Sequence, residues 1–288
     1  MSLLKMKILE LINRHKQVTA VANALQMKQP TISFHMKNME SEMGIKLFQA
    51  KSGRIHLTQA GKMLLPYATR IGALYSEAES VISELKNNER SVLRVGCTDC
   101  AMTTIARSSW PYSIKNHAEI QFSMMQLDEK SLFEQLNAGL LDVVICGRLA
   151  QAPYEFQFNK MSSSPLKLLV SARHPLAQEK NPAVHHLVKY DFLDYMEPSI
   201  YESTKQWKNQ LSWEFNVNAK FESTELLLSA VRANVGLAVL PECALPDSLQ
   251  GVLAITPPGI NSEWEMFASW SPSYWNVPLL KRVLGIPF

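Results

Sequence analysis

The chain has 288 residues, 47% of them apolar and 19% charged, a globular composition that excludes disordered or collagen-like structure and leaves room for two or three domains of roughly 100 to 200 residues. No run reaches the roughly 18 to 20 apolar residues of a membrane helix, and Lys5, Lys7, Glu10, Arg14 and Lys16 interrupt any signal-peptide core, so no membrane partner is expected and a cytoplasmic location is. The net charge of +3 hides an asymmetry: residues 1–58 carry nine Lys/Arg against Glu10, Glu40 and Glu42, while the other 230 residues hold 20 basic and 23 acidic side chains, so a polyanion would meet only the basic head.

In chain order, Leu4, Ile8, Leu11 and Ile12 recur at helical spacing within 3–14 and predict an amphipathic helix. Thr19 is a plausible N-cap for a short helix, AVANAL, and Gln26–Lys28 make a tight connection to a third helix opening at Gln29-Pro30. On a helical wheel Ile32, Met36, Met39 and Met43 form one apolar stripe, and Pro30, Ser33, Phe34, Lys37, Asn38 and Ser41 face away. Hydroxyls, a cation, an amide and an aromatic are groups that contact base edges, thymine methyls and phosphates from a major groove. Two short helices with a polar outer face describe a helix-turn-helix, although a small helical domain with a solvated face has the same pattern. The segment IKLFQAKSGRIHLT then predicts a hairpin with Ser52-Gly53 at its tip, a wing from which Lys51 and Arg54 reach phosphates or a minor groove; ordinary surface charge is the alternative.

The run VANALQMKQPTISFHMKNMESEMGIKLFQAKSGRIHLTQAG resembles the winged helix-turn-helix of LysR-type transcriptional regulators, offering in order Gln29, Pro30, Ile32, Ser33, Met39, Glu40, Gly44, Leu47, Phe48, Leu57, Thr58 and Gly61. The resemblance implies binding to double-stranded operator DNA, with Gln29, Pro30, Thr31, Ser33, Phe34 and His35 reading or flanking bases and Lys37, Lys51 and Arg54 holding phosphates. Two positions depart from the family: Ala50-Lys51 replaces an Arg two residues after Leu-Phe, and Phe34 stands where a polar or cationic residue is common. Phe34 favours apolar contact with a thymine methyl, so relatives do not supply the operator sequence.

Thr58 is a plausible cap for a helix to about Asn88, in which Leu64, Ile71, Ala78 and Leu85, and again Tyr67, Leu74 and Val81, recur by seven, the a and d positions of a two-helix seam. Pro66 is expected to kink its first turns. Packing of the stripe on the chain's own body is the alternative; the resemblance implies a homodimer, extending to a homotetramer through the effector domains, and admits RNA polymerase as a further partner. A polar hinge at 87–91 gives the expected organisation: a winged helix-turn-helix at 1–61, a dimerisation helix and hinge at 62–90, and an effector domain at 91–288.

From Val92 short strands and helices alternate. LRVGC, EIQFSMM and LDVVICG are strands around helices at 102–115 and SLFEQLNAG, and the β-α-β-α-β order implies a largely parallel sheet. A second round follows in LKLLVSA, a helix at 204–215, NAKF, TELLLSAVRANVG and LAVLP, before EMFASW and VPLLKRVLG return to the first lobe. The whole is α/β, and the two lobes, about 91–160 with 265–288 and about 161–264, look like the periplasmic-binding-protein-like effector domain of the same family. Ligands of such folds sit beyond the carboxyl ends of strands, near helix N-termini, which selects Thr98, Asp99, Cys100, Gln126, Cys146, Gly147, Met196, Ser223 and Thr224 as lining for a small-molecule effector, with Asp128 after the second strand and Glu197 in the loop beside Met196. Ser223 and Thr224 open a helix and are the best placed to bind an anion, or simply to cap. Relatives commonly sense small carboxylates; Asp99 argues here for a ligand with an amine or several donors.

Cys97, Cys100, Cys146 and Cys243 are too sparse for a secreted disulfide scaffold. Cys97-Thr98-Asp99-Cys100 is a Cys-x-x-Cys, so a thiol-redox-sensing regulator remains an alternative, as does a small-molecule-binding protein without a specific DNA target. Neither metal ligands, nor a phosphate-cradling loop, nor hydrolase motifs occur, so no cofactor, metal or enzymatic activity is expected.

Overall fold

A computed structural model describes the chain apart from residues 52, 88–90, 150–155, 180–181, 212–213, 260–262 and 286–288. Two compact units divide it, one of Met1–Ser91 with Asn137–Leu140 and one of Val92–Leu136 with Leu141–Phe288. The hinge expected at 87–91 and the Ser52 of the hairpin tip fall on or among residues outside the described set.

The first unit packs α1 (Leu3–His15), α2 (Val18–Ala24) and α3 (Gln29–Met43) with a hairpin of β1 (Phe48–Lys51) and β2 (Arg54–Leu57) and with α4 (Gln59–Asn87). Ile8, Leu9 and Ile12 of α1 meet Val21, Ile32, Met39, Leu47, Leu57 and Ala68 in one core. Two details differ from the wheel and the cap rules. Gln17 occupies the N-cap of α2, so Thr19 lies inside the helix, because extended backbone at Gln17 already turns the chain into α2. Met43 is 43% exposed, since α3 ends at Gly44, φ 66°, and the apolar stripe outlasts the core it packs on.

The motif residues close the head. Glu40 Oε1 accepts from the amides of Leu47 (2.9 Å) and Phe48 (3.0 Å), and its Oε2 accepts from Lys46 Nζ (2.9 Å). Burial opposes ionisation of this carboxyl, but Lys46 and the two amides together hold it below its ordinary range. Thr58 Oγ1 donates to the Lys46 carbonyl (2.7 Å) and accepts from Gly61 N–H (3.2 Å), the cap expected for α4. A Cβ on Gly61 would overlap the Leu47 carbonyl, so the Leu-Thr-x-x-Gly spacing lets α4 start hard against the β1 approach. Further along α4, which runs continuously through Pro66, Leu64 packs on the head, whereas Tyr67, Ile71 and Leu74 are 66%, 41% and 54% exposed.

In the second unit β3 (Ser91–Cys97), β4 (Ile120–Gln126), β5 (Val143–Gly147), β6 (Gln157–Ser171) and β11 (Glu263–Trp270) form the first lobe's sheet in the order β4–β3–β5–β11–β6. β6 is shared: Gln157–Pro165 pair with β11, and Leu166–Ser171 pair with β9 (Ala238–Pro241) and β10 (Val252–Ile255) of the second lobe. There β7 (Phe192–Tyr195) runs parallel to β8 (Val217–Phe221), and a Phe192–Leu237 bridge leads from β7 to β9. The largely parallel sheet expected is therefore mixed. β3 and β5 are parallel, but β11 is antiparallel to β5 and β6, because the strand that leaves a lobe and the strand that re-enters it run in opposite senses. The helix expected at 204–215 is α9 (Pro198–Gln210); Pro198 takes the first helical turn, where its missing N–H costs nothing. The remaining helices are α5 (Asp99–Arg107), α6 (Trp110–Asn116), α7 (Glu129–Asn137), α8 (Val184–Leu187), α10 (Thr224–Arg232) and α11 (Val277–Leu284).

Gly61→Ala is expected to destabilise the head by about 1–3 kcal/mol through backbone displacement. Gly72→Ala, whose added carbon meets only Glu10 Oε1 at 3.5 Å, should be neutral or stabilising by about 0.4–1 kcal/mol. Urea unfolding of the two variants that gave equal midpoints would refute this account of the motif.

Candidate functional site

On the first unit, α3 leaves Gln29, Pro30, Phe34 and Lys37 exposed and Thr31, Ser33 and His35 half-buried. Phe34 is 63% exposed, an unusual position for an aromatic ring, with His35 edge-on at 5.9 Å. Beyond it, Lys51 and Arg54 are cross-strand partners at the wing tip, where Gly53 takes φ 73°. They share a groove of about 730 Å³ with Asn13, Lys16, Gln49, His56 and Lys62, and among the described residues no carboxylate lines it. The sequence pattern singled out Lys51 and Arg54 but not Lys16 and Lys62. Lys16 is brought there by its left-handed backbone, φ 57°, after α1, and by its carbonyl, which accepts from Ile55 N–H at 2.9 Å. Four cations around an acid-free groove repel one another and favour a polyanion.

On the second unit, the ends of β3, β4 and β7 and the starts of α5, α7 and α9 enclose a cavity of about 400 Å³. Of the residues expected to line an effector site, Thr98, Asp99, Gln126 and Met196 do so. Asp99 is engaged from both lobes. Its Oδ2 accepts from Thr224 N–H (2.6 Å), from the Thr224 hydroxyl and from the Tyr195 hydroxyl (2.8 Å), and its Oδ1 accepts from Gln126 Nε2 (3.1 Å). This carboxylate begins α5 and faces the N-terminus of α10, so two helix dipoles favour its charge. The anion seat assigned to Ser223 and Thr224 is thus occupied by the chain's own Asp99. Thr224 is 1% exposed, and Ser223 caps α10 by accepting from Leu226 N–H.

Besides Ser223 and Thr224, three more expected lining residues stand elsewhere. Cys100 and Cys146 have no exposed surface because each packs into the core beneath the sheet ends. Gly147 is also buried, and a Cβ there would overlap Ser199, whose Oγ accepts from Trp264 Nε1 (2.9 Å); its smallness serves close packing of α9 on β5. The Cys-x-x-Cys has the same fate. Burial, with the charge of Glu197 adding to it, pushes the Cys97 thiol up to about 12 and the Cys100 thiol well above its ordinary value, which removes the thiolate that redox chemistry needs.

Tyr195, Glu129, Lys130 and Glu222 line the cavity without having been singled out, and Asp128 and Glu197, which the pattern placed beside Gln126 and Met196, line it too. Tyr195 and Glu197 flank Met196, and the only sequence signal for Tyr195 was the run Asp-Tyr-Met-Glu-Pro before a helix. Glu197 is 8% exposed; its Oε2 accepts from Cys100 N–H (2.9 Å) and lies 3.4 Å from the Tyr195 hydroxyl. Its Oε1 and the Thr98 hydroxyl are buried, and neither completes a well-formed hydrogen bond. Burial pushes Glu197 up to about 7, against the pull of the Cys100 amide and Thr98, and the Asp99 charge adds to the rise. Burial and the two carboxyls raise the Tyr195 phenol strongly, so it stays a donor.

Residues 3–62 match the model of the bacterial regulatory helix-turn-helix protein, LysR family, and residues 86–286 that of the LysR substrate binding domain. The RuBisCO operon transcriptional regulator of Allochromatium vinosum is 25% identical over 240 residues, covering 83% of this chain and 79% of its own. Full-length OxyR of Pseudomonas aeruginosa superposes with a TM-score of 0.73 at 16% identity over 99% of this chain and 94% of that one. Full-length CbnR in complex with its target DNA does so with a TM-score of 0.73 at 18% identity, over 99% and 98%.

Glu197 makes stability depend on pH. Its folded-state pKa, about 7, lies above the ordinary 4.5, so the folded chain holds the proton more tightly. The resulting stabilisation is complete below about pH 4.5 and is lost as pH rises through about 7. It amounts to something on the order of 3 kcal/mol. Glu197→Gln should flatten the fall of the thermal midpoint across that window; parallel wild-type and variant curves would show that the carboxyl does not bind a proton there.

Proposed function

The chain belongs to the LysR family of DNA-binding transcriptional regulators, and from that premise we propose that α3 and the wing read operator DNA under the control of a small effector in the 400 Å³ cavity. The observation that carries the DNA reading is the cationic groove at the wing, in a unit that also exposes the polar face of α3. In this reading Lys37, Lys51 and Arg54, joined by Lys16 and Lys62, hold phosphates. Gln29, Pro30, Thr31, Ser33 and His35 position or read base edges, and Phe34 meets a thymine methyl.

Self-association through α4 completes the reader. Tyr67, Ile71 and Leu74 keep a row of large apolar side chains in solvent at heptad spacing, and burying them against a second copy recovers about 25 cal/mol per Å² of apolar surface. A two-fold dimer presents two α3 helices to a two-fold operator. The effector acts by differential affinity for the arrangements of the two lobes, with Ser223 as the cap of α10 and Thr224 as a latch to Asp99. Chemistry at Cys97 and Cys100 has no part in this scheme.

Fluorescence anisotropy of the full-length protein on DNA from upstream of its own gene, titrated over a range of salt against scrambled competitor, tests the reading. Specific binding that weakens steeply with salt is expected, and Lys37→Ala should weaken it while lowering the slope of log affinity on log salt by about 0.9. An unchanged slope would remove Lys37 from the interface, and equal affinity for scrambled DNA would remove the operator reading.

A further inference from the structure

The chemistry of the 400 Å³ cavity narrows what it can hold. Five of its lining side chains are carboxyls, Asp99, Asp128, Glu129, Glu197 and Glu222, and one is cationic, Lys130. Two of the five are satisfied internally: Asp99 by Thr224, Tyr195 and Gln126, and Asp128 by the Ser131 amide (3.0 Å). Lys130 is directed along its own helix to Glu134 (4.0 Å) and is 86% exposed. Among the described residues, neither Glu129 nor Glu222 has a hydrogen-bonding or ionic partner. Among the described residues, Glu197 Oε1 and the Thr98 hydroxyl, more than nine-tenths buried in the same wall, complete no well-formed hydrogen bond, and the nearness of Thr98 offsets only part of what burial costs the Glu197 charge.

A buried acceptor without a donor costs on the order of 1–3 kcal/mol, and two beside unpaired carboxylates ask for a ligand rich in N–H. An anionic ligand meets the opposite conditions. The helix N-terminus that would seat it is filled by Asp99, and the free charges around the remaining space are negative. Leu127, Met196 and Pro198 add an apolar surface for a short carbon body.

We propose that this cavity binds a small organic cation, a primary ammonium or guanidinium on a short aliphatic body, whose N–H groups satisfy Glu197 Oε1 and Thr98 Oγ1 and whose charge is matched by Glu129 and Glu222. The inference rests on the reading of this cavity as the effector site. Because Glu197 holds its proton to about pH 7, an arriving cation ionises it and expels a proton into solution.

The test is calorimetry on the full-length protein near neutral pH in buffers of different ionisation heat, with agmatine, putrescine, arginine and lysine as cationic probes and glutarate and benzoate as anionic ones. Saturable binding of a cation is expected, with proton release, a loss of about ten-fold or more in Glu197→Gln and in Glu129→Gln, and no binding of the carboxylates. Operator binding of each variant serves as the check that it is folded. Preference for a carboxylate, a cation bound equally well by both variants, or no response to any cation overturns the inference while leaving the DNA-binding reading intact. A cation that binds with these signatures without altering operator affinity upholds the ligand class and removes the effector role.

Discussion

The carboxylate of Asp99 is held between two helix N-termini, its own at α5 and that of α10 in the opposite lobe, and accepts hydrogen bonds from Thr224, Tyr195 and Gln126. An α-helix begins with N–H groups that have no partner within it; at α10 one of these is answered across the cleft by a full negative charge, an arrangement about twice as strong as a neutral hydrogen bond. Separation of the lobes at this point exposes both the carboxylate and the Thr224 amide to water, which solvates them at little net cost. The latch therefore fixes geometry more than it adds stability, and it fixes it where a ligand would otherwise have to do so.

Two consequences follow for control of the lobes. An effector that acts on their equilibrium must favour one arrangement through contacts that differ between the two. With Asp99 already supplying the anion at α10, closure across that seat needs no ligand charge, so in the proposed scheme a ligand acts on the wall formed by Thr98, Glu129, Glu197 and Glu222. Tyr195 links the two regions, its hydroxyl 2.8 Å from Asp99 and 3.4 Å from Glu197. Ionisation of Glu197 creates competition for that single donor, so charge in the cavity and strength of the latch are coupled through one proton.

The head was legible because its determinants are local. Glu40 bonds amides seven and eight residues away, and Thr58 and Gly61 interact at three, so sequence spacing is already geometry. The cavity is different: Asp99 meets Thr224 across 125 positions and Glu197 meets Cys100 across 97. The rule that ligands gather at strand ends located the right loops, yet not which side chain at each end turns outward. Cys100 and Cys146 turn into the core and Thr98 and Gln126 do not. The start of α9, which the pattern put several residues late, is set by Pro198, and Glu197 therefore lies at its N-cap. Even the anion seat at Ser223–Thr224 was correctly located as a helix start while its occupant was missed, since no local rule pairs a residue at 99 with one at 224.

Charge placement separates the two sites more sharply than net charge suggests. All three acids of the basic head are spent internally, Glu10 on Lys7, Glu40 on Lys46 and Glu42 on Lys5. Among the described residues, Lys16, Lys37, Lys51, Arg54 and Lys62 have no ion pair, and four of these line the groove beside the wing. Surface ion pairs contribute little to stability, with a median of about 0–1 kcal/mol, so pairing there acts chiefly by withdrawing acids from the DNA-facing side. The cavity inverts this pattern: its lysine is turned away to Glu134, and its unpaired groups are acids. Unpaired charges of one sign grouped around one space repel one another, and a partner of opposite charge relieves that repulsion. In the proposed reading phosphates do so at the groove and a cation in the cavity, and the chain's net +3 is the sum of +6 over residues 1–58 and −3 over the rest.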